Sequence, residues 1–327
     1  MRSRLGPPRR RIALAARILN GNLIRDDVLA DVRRELAELA AQDIRPGLAV
    51  VLAGEDPASR IYVRSKVRAC EALGIHSETI TPPARITTEE LLQLVDELNG
   101  REDIDGILVQ LPLPAQVDSK RVLLEVNPAK DVDGFHPVNV GNLATQRPGL
   151  APCTPLGVIE ILKRSGIPIA GARAVVVGRS DIVGKPVAMM LLHEHATVTI
   201  CHSRTRDLPA VCREADILVA AIGRPALVTD EYVKPGATVI DVGVNKLTDR
   251  AEVERLFAEN PARMTEFATK GSTLVGDVHP DLVGPVAGAL TPVPGGVGPL
   301  TIAMLMANTV RAARLRRGLP APLTLAR

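Results

Sequence analysis

A tyrosine and a lysine four residues apart, Tyr62 and Lys66, lie in the stretch PASRIYVRSKVRACEALG, with Ser59 three residues before the tyrosine. On a helix these three share one face while Ile61 and Val67 turn elsewhere, so phenol and ammonium come within mutual reach. A surface stripe with a half-buried tyrosine has the same pattern. Gln110 ends the apolar run of GILVQLPLP. A buried glutamine needs partners for its amide, and the carboxyl end of a strand in an open α/β sheet faces the ligand crevice. The loop PAKDVDGFHP adds Lys130, Asp131 and Asp133. Two acids before a glycine suggest a turn, and the ligands are too few for a metal.

A second constellation follows in VVVGRSDIVGKPVAMML, where Gly178 and Gly184 stand between a β-rich run and a helical one. That is where a dinucleotide pyrophosphate meets backbone N–H groups and a helix N-terminus. The spacing departs from G-x-G-x-x-G, with Ser180 in the second place and the last glycine one residue late, so a merely tight connection fits as well. The next β-rich run ends His202-Ser203-Arg204-Thr205, with no acid before Asp207. NAD sites place an acid there for the ribose hydroxyls, and a carboxylate would repel a 2′-phosphate. With Arg179 in the turn, the pattern favours NADP over NAD, unless Arg179 and Arg204 are simply solvent-facing.

These residues need scaffolds. From Arg45 to about Pro114, strand-like GLAVVLAG, HSETITP and DGILVQLPLP alternate with two helical stretches, the first stopped by Gly74 and the second capped by Thr87 or Thr88. After PCTP, where Thr154 can cap and Pro155 can open a helix ended by Gly166, come four β-branched runs, ARAVVVG, ATVTICHS, ADILVAAIG and ATVIDVG. The expected fold is α/β with two domains: an N-terminal α/β lobe and a doubly wound, Rossmann-like nucleotide-binding lobe. The last strong helix, Pro299 to about Arg317, has no strand after it and is expected to return to the first lobe. The expected division is 12–150 with 299–317, then 151–298, with flexible tails at 1–11 and 318–327. Linkers are expected near Gly141–Pro152 and Pro292–Gly298.

Composition narrows the class. The chain has 327 residues, 46% of them apolar, enough for two cores, yet only two Tyr, three Phe and no Trp. Base-stacking surfaces for single-stranded nucleic acid are therefore nearly absent, and no nucleic-acid partner is expected. Both ends are Arg-rich and acid-free, read as solvated tails. Four cysteines without paired or zinc-like spacing fit reduced thiols and a cytoplasmic location. No apolar run approaches a membrane span, so no membrane is expected.

Taken together, ASRIYVRSKVRACEALGI, GILVQLPLP, KDVDGFHPVNVG, PCTPLGVIEIL, VVVGRSDIVGKPVAMML, CHSRT, IDVGVN and TPVPGGVGPLTIAML, in that order, resemble the methylenetetrahydrofolate dehydrogenase/methenyltetrahydrofolate cyclohydrolase family of one-carbon metabolism. The resemblance implies a folate cleft between a catalytic lobe and an NADP lobe, usually in a homodimer formed through the latter, feeding purine biosynthesis. It implies NADP-linked oxidation of 5,10-methylenetetrahydrofolate and hydrolysis of the methenyl product to 10-formyltetrahydrofolate. Lys66 is then central to the hydrolysis, Tyr62 frames the folate ring, Gln110 tunes Lys66 and Asp131 anchors the pterin. Leu111, Pro112, Pro294 and Gly295 join the substrate side. Gly178, Arg179, Ser180, Gly184, Ser203, Arg204, Gly223, Val244, Gly296, Val297 and Thr301 fall on the cofactor side, Arg179 and Ser203 at the 2′-phosphate. No metal is implied.

The chemistry suits these types. Loss of hydride from the methylene bridge leaves a cation shared by two nitrogens, which needs positioning more than a strong base. Hydrolysis needs water at that carbon and proton transfers, and a lysine serves there once desolvation or a cationic ligand lowers its pKa. A dehydrogenase without the second activity is the near alternative, and an inactive folate- or nucleotide-binding protein the distant one. Three stretches depart from the family pattern, ILNGN near the start, GDVHP at Gly276–Pro280 and GPLT with Leu300 in place of methionine. The first two have no assigned part, the third is a mild apolar swap, and His279 and Pro280 put local loop shape or folate-tail contacts in question.

Overall fold

The computed structural model describes residues 15–321. The expected extension 1–11 and the last six residues of the expected tail 318–327 lie outside them.

The first lobe alternates short strands with helices. β1 (Arg17–Ile18) and α1 (Gly21–Ala40) lead into β2 (Gly47–Val51), α2 (Pro57–Leu73), β3 (His76–Ile80), α3 (Thr88–Gly100) and β4 (Gly106–Val109). The sheet is parallel, in the order β3-β2-β4. Every residue of β2 is buried, which is why GLAVV is a continuous apolar run and not an alternating one. Local chemistry sets the helix ends. The Asp56 carboxylate accepts the Ser59 N–H at 2.7 Å, Pro57 occupies the first turn, and Gly74 closes α2 in the left-handed region at φ 74°. Thr87 and Glu90 form a reciprocal capping box on α3.

After α4 (Ser119–Glu125), α5 (Pro137–Ala144) and α6 (Cys153–Arg164) comes the second series: β5 (Arg173–Val177), α7 (Gly184–His193), β6 (Thr197–Cys201), α8 (Leu208–Cys212), β7 (Ile217–Ala220) and β8 (Thr238–Asp241). An antiparallel ribbon of β9 (Asn245–Leu247) and β10 (Thr273–Val275) brackets two helices, α9 (Arg250–Phe257) and α10 (Pro261–Lys270). α11 (Pro280–Val283), β11 (Ala289–Leu290) and α12 (Val297–Arg316) follow. The larger sheet is parallel, in the order β1-β11-β8-β7-β5-β6. β5 has β6 on one side and β7 on the other, and that reversal opens a crevice at the carboxyl ends of the strands.

Helix α12 packs against α1, α2 and α6 and is buried along most of its length. Gly157 allows α6 to lie close against α12, since a Cβ there would stand 2.7 Å from Leu300 Cβ. Three expectations need correction. α6 starts at Cys153, not after Thr154, because Pro152 already supplies the fixed backbone; the Thr154 hydroxyl instead meets Thr301 Oγ1 at 3.0 Å. α12 begins at Val297, two residues early. The arginines near the C-terminus are not all solvated: Arg314 pairs with Glu35 at 2.5 Å, and Arg316 and Arg317 meet the buried Asp105 at 2.5 and 2.7 Å.

Candidate active site

Lys66 and Gln110 meet: Lys66 Nζ donates to Gln110 Oε1 at 3.0 Å. The glutamine stands one residue beyond the end of β4, and its Nε2 donates to Leu111 O at 2.7 Å. Ser59 Oγ donates to the same carbonyl at 3.3 Å. Both ends of the amide are thereby fixed, so its oxygen can only face the lysine. α2 delivers Ser59 and Lys66 to this cluster as their spacing requires. Tyr62 is 53% exposed, with one face open, and Ile61 does not turn away as expected: it lines the same cavity as the tyrosine.

The loop after α4 sorts its three charged residues by partner. Lys130 Nζ donates to the carbonyls of Leu98, Asn99 and Arg101 at 3.1, 2.8 and 2.5 Å, closing the end of α3. Asp131 turns inward, its Oδ2 accepting from His136 N–H at 2.8 Å and Asn139 Nδ2 at 3.0 Å. Asp133 remains on the site side, within electrostatic reach of Lys66. Burial pushes its carboxyl up to about 6, against the pull of Lys66 and with a further push from Asp131. Asn308 of α12 holds the backbone between the two acids, donating to Val132 O at 2.8 Å and to Ala151 O at 2.8 Å. Asp133, read in the sequence only as part of a turn, is thus a candidate site residue beside Lys66.

The facing wall is the stretch Thr291–Val297. Gly295 takes φ 101°, and a Cβ on Gly296 would lie 2.5 Å from Pro292 O, so both glycines are required by the backbone. Gly21 N donates to Gly295 O at 2.8 Å and fixes the wall against α1. Tyr62, Val244, Pro294, Gly295, Gly296 and Val297 border one cavity of about 530 Å³. Its walls carry exposed apolar surface from Ile61, Tyr62 and Val244, which suits a flat ring with polar edges.

At the crevice, Gly178 (φ 132°) and Gly184 approach each other so closely that a Cβ on Gly184 would stand 2.3 Å from Gly178 O, and one on Gly178 would stand 2.1 Å from Ala221 O. The turn thereby brings bare peptide groups to the N-terminus of α7, where a pyrophosphate is held in such folds. Ser180 shapes the turn from within, its Oγ accepting from Val183 N and Gly184 N at 3.2 Å each. Arg179 follows β5, while Ser203 and Arg204 follow the adjacent β6; the first acid beyond them, Asp207, is occupied in capping Ala210 N at 3.3 Å. This set fits a 2′-phosphate. Thr301, expected on the cofactor side, bonds Thr154 Oγ1 at 3.0 Å.

Two further acids shape the cofactor side. Asp277 accepts from the N–H groups of Ile222, Gly223 and Arg224 at 2.5, 2.8 and 2.9 Å and from Asn245 Nδ2 at 3.0 Å. Asp241 accepts from the N–H groups of Gly243, Asp277 and Val278, and burial pushes it up to about 7. They position Gly223 and Val244. An acid ending each of the runs TVID and LVGD was the signal available in sequence. The departures also find their places: Asn20 caps α1, Asn22 borders the cavity, and His279 packs on Phe257 with ring centroids 5.1 Å apart, Nε2 lying 2.9 Å from Leu256 O. GDVHP therefore docks α9. Among the described residues, no group of three or more His, Cys, Asp or Glu can hold a metal.

Two family models match this chain: tetrahydrofolate dehydrogenase/cyclohydrolase, catalytic domain, over residues 19–133, and the NAD(P)-binding domain of the same family over residues 152–317. The bifunctional protein FolD of Koribacter versatilis is 68% identical over 93% of this chain and 99% of its own; that of Solibacter usitatus is 64% identical over 92% and 99%. Among solved structures, the bifunctional FolD enzyme of Campylobacter jejuni has a TM-score of 0.83 at 41% identity, covering 92% of this chain and 100% of its own. The Trypanosoma brucei enzyme, solved with NADP cofactor and inhibitor, has a TM-score of 0.82 at 39% identity, covering 93% and 99%. With the lysine–glutamine pair on one side of the cleft and the glycine turn on the other, the chain belongs to the tetrahydrofolate dehydrogenase/cyclohydrolase family.

Proposed function

We infer that this chain is a bifunctional enzyme that oxidises 5,10-methylenetetrahydrofolate with NADP and hydrolyses the methenyl product to 10-formyltetrahydrofolate. The observation that carries the hydrolytic half is the 3.0 Å bond between Lys66 Nζ and a fully tied Gln110, with Asp133 beside them. When bound, NADP supplies the hydride acceptor. Gly178, Gly184, Arg179, Ser203 and Arg204 hold it, and Gly223 and Val244 border the same side through the acids that fix their loops.

The protein's part in oxidation is positioning: Tyr62 and the wall Pro294–Val297 press a flat ring from two sides and hold the methylene bridge in line for hydride transfer. In hydrolysis Lys66 Nζ, held by Gln110, relays protons between the attacking water and the opening ring. We assign to Asp133 the contact with the polar edge of the pterin and electrostatic support of the lysine. Asp131 supports the loop that carries Asp133. Leu111 and Pro112 form the floor beneath the ring, and Ser180, Gly296 and Val297 complete the cofactor side.

The lobes are proposed to divide as residues 12–150 with helix 299–317 and residues 151–298, β1 crossing to the larger sheet. We further propose a cytoplasmic homodimer joined through the NADP lobe and supplying one-carbon units to purine biosynthesis; its four cysteines are free and buried, and among the described residues no helix is long and apolar enough to cross a membrane. Lys66→Met tests the assignment. Formation of 10-formyltetrahydrofolate is expected to fall by about a hundred- to ten-thousand-fold, with NADP affinity retained. Unimpaired hydrolysis by a folded variant removes Lys66 from the mechanism.

A further inference from the structure

Helix α12 carries one charged side chain that the folate reaction does not use. Arg311 is half-buried, and its side chain makes no hydrogen bond or ion pair among the described residues; its Nε is closed off from solvent with no acceptor in reach. Its neighbours Arg314, Arg316 and Arg317 all find carboxylates, so an unpaired guanidinium is not the rule on this helix. Burial lowers the pKa of Arg311, and no nearby acid offsets the effect. A partly desolvated cation with one enclosed donor and no acceptor carries a cost, and the groups that match it best are carboxylate and phosphate oxygens.

Arg311 lines a cavity of about 450 Å³, between the loop after α5 and the helices α6, α7 and α12. One side is apolar, from Leu143, Leu156, Ile159 and Met190; Arg147 and His193 add further nitrogen donors. Glu194, the one acid on its wall, is already held by Lys163 at 2.6 Å. The volume is in the range of small-molecule sites and well beyond a bare oxyanion. None of these residues belongs to the folate cleft. Asn308 also lines the cavity and donates to Val132 O between Asp131 and Asp133, so an occupant touches a residue that fixes the catalytic loop.

We propose that this cavity binds a small organic anion, an oxyanion head on an aliphatic or ring body, with Arg311 as its counter-ion and the apolar wall taking the body. Calorimetric titration of hexanoate into the full chain saturated with NADP tests this, with 1-hexanol as the neutral isostere and inorganic phosphate as the compact anion. One saturable site for hexanoate is expected, at least about tenfold tighter than either comparison ligand. Arg311→Met is expected to cost at least about tenfold in hexanoate affinity while NADP affinity stays within about twofold. Should that variant fail to bind NADP, Arg147→Gln at the same cavity is expected to weaken hexanoate about threefold. The proposal is overturned if hexanoate shows no saturable binding, if hexanol or phosphate binds as tightly, or if the folded variants bind hexanoate as the parent does.

Discussion

At the scale of single residues, the site depends on which of two acids faces the lysine. Asp133 carries a carboxyl pushed up to about 6, well above the ordinary value near 3.9. A carboxyl raised on folding contributes stability that is complete below its unfolded value and is lost as pH rises through its folded one. Between about pH 4 and pH 6 the parent is therefore expected to lose on the order of 1–3 kcal/mol from this group, and Asp133→Asn to abolish that part of the decline, as read by urea unfolding at several pH values. The same variant is expected to erase the inflection near pH 6 in the hydrolysis profile; an unchanged profile removes Asp133 from the chemistry. Lys66 and Gln110 were legible from helix spacing and from a strand end. The choice between Asp131 and Asp133 was not, because it is made by His136, Asn139 and Asn308, the last contacting Val132 from 176 positions away.

At the scale of elements, the glycine turn is a packing device before it is a binding site. α7 can start where it does only because Gly184 lacks a Cβ, which would press on Gly178 O at 2.3 Å. Gly184→Ala must move the helix start away from β5, and displacements of that size at a binding loop are costly. NADPH affinity, followed by fluorescence titration, is expected to fall at least about tenfold, while the Lys66–Gln110 cluster on the other sheet keeps its geometry. Retention of parent affinity would show that the turn does not need its close approach. Of the four long runs of the larger sheet, those of β5, β7 and β8 were readable as strands because they are buried nearly throughout, and that of β6, an exposed edge, by its β-branched residues. β1 and β11 were not: each pairs over two residues and acquires strand character only from its neighbours. The helices α9 and α10 were overlooked for a related reason. Their own small core of Val253, Phe257 and Val275, with Leu256, Met264 and Phe267 packed on it, is assembled across β9 and β10, and no single stretch displays it.

At the scale of the molecule, the larger sheet ends at β6, which pairs only with β5 and leaves Ile200 44% exposed. An apolar edge strand is a template for a second strand, and this is where we place the dimer contact. Ile200→Lys is expected to convert a species of twice the chain mass into one of single mass in sedimentation equilibrium, and a parent already at single mass contradicts the dimer. The strong, ordered motifs of the chain made both lobes and their order legible; how they are joined required coordinates. The chain passes between the sheets near Leu19–Gly21, near Gly149–Pro152 and at Gly295–Gly296. Two of these passages are bolted together by the bond from Gly21 N to Gly295 O, with no room for even one methyl group between them, since a Cβ on Gly21 would stand 1.7 Å from Gly296 O. A joint pinned in this way works like a dowel: it resists sliding, so the lysine's sheet is held in one register against the cofactor's sheet.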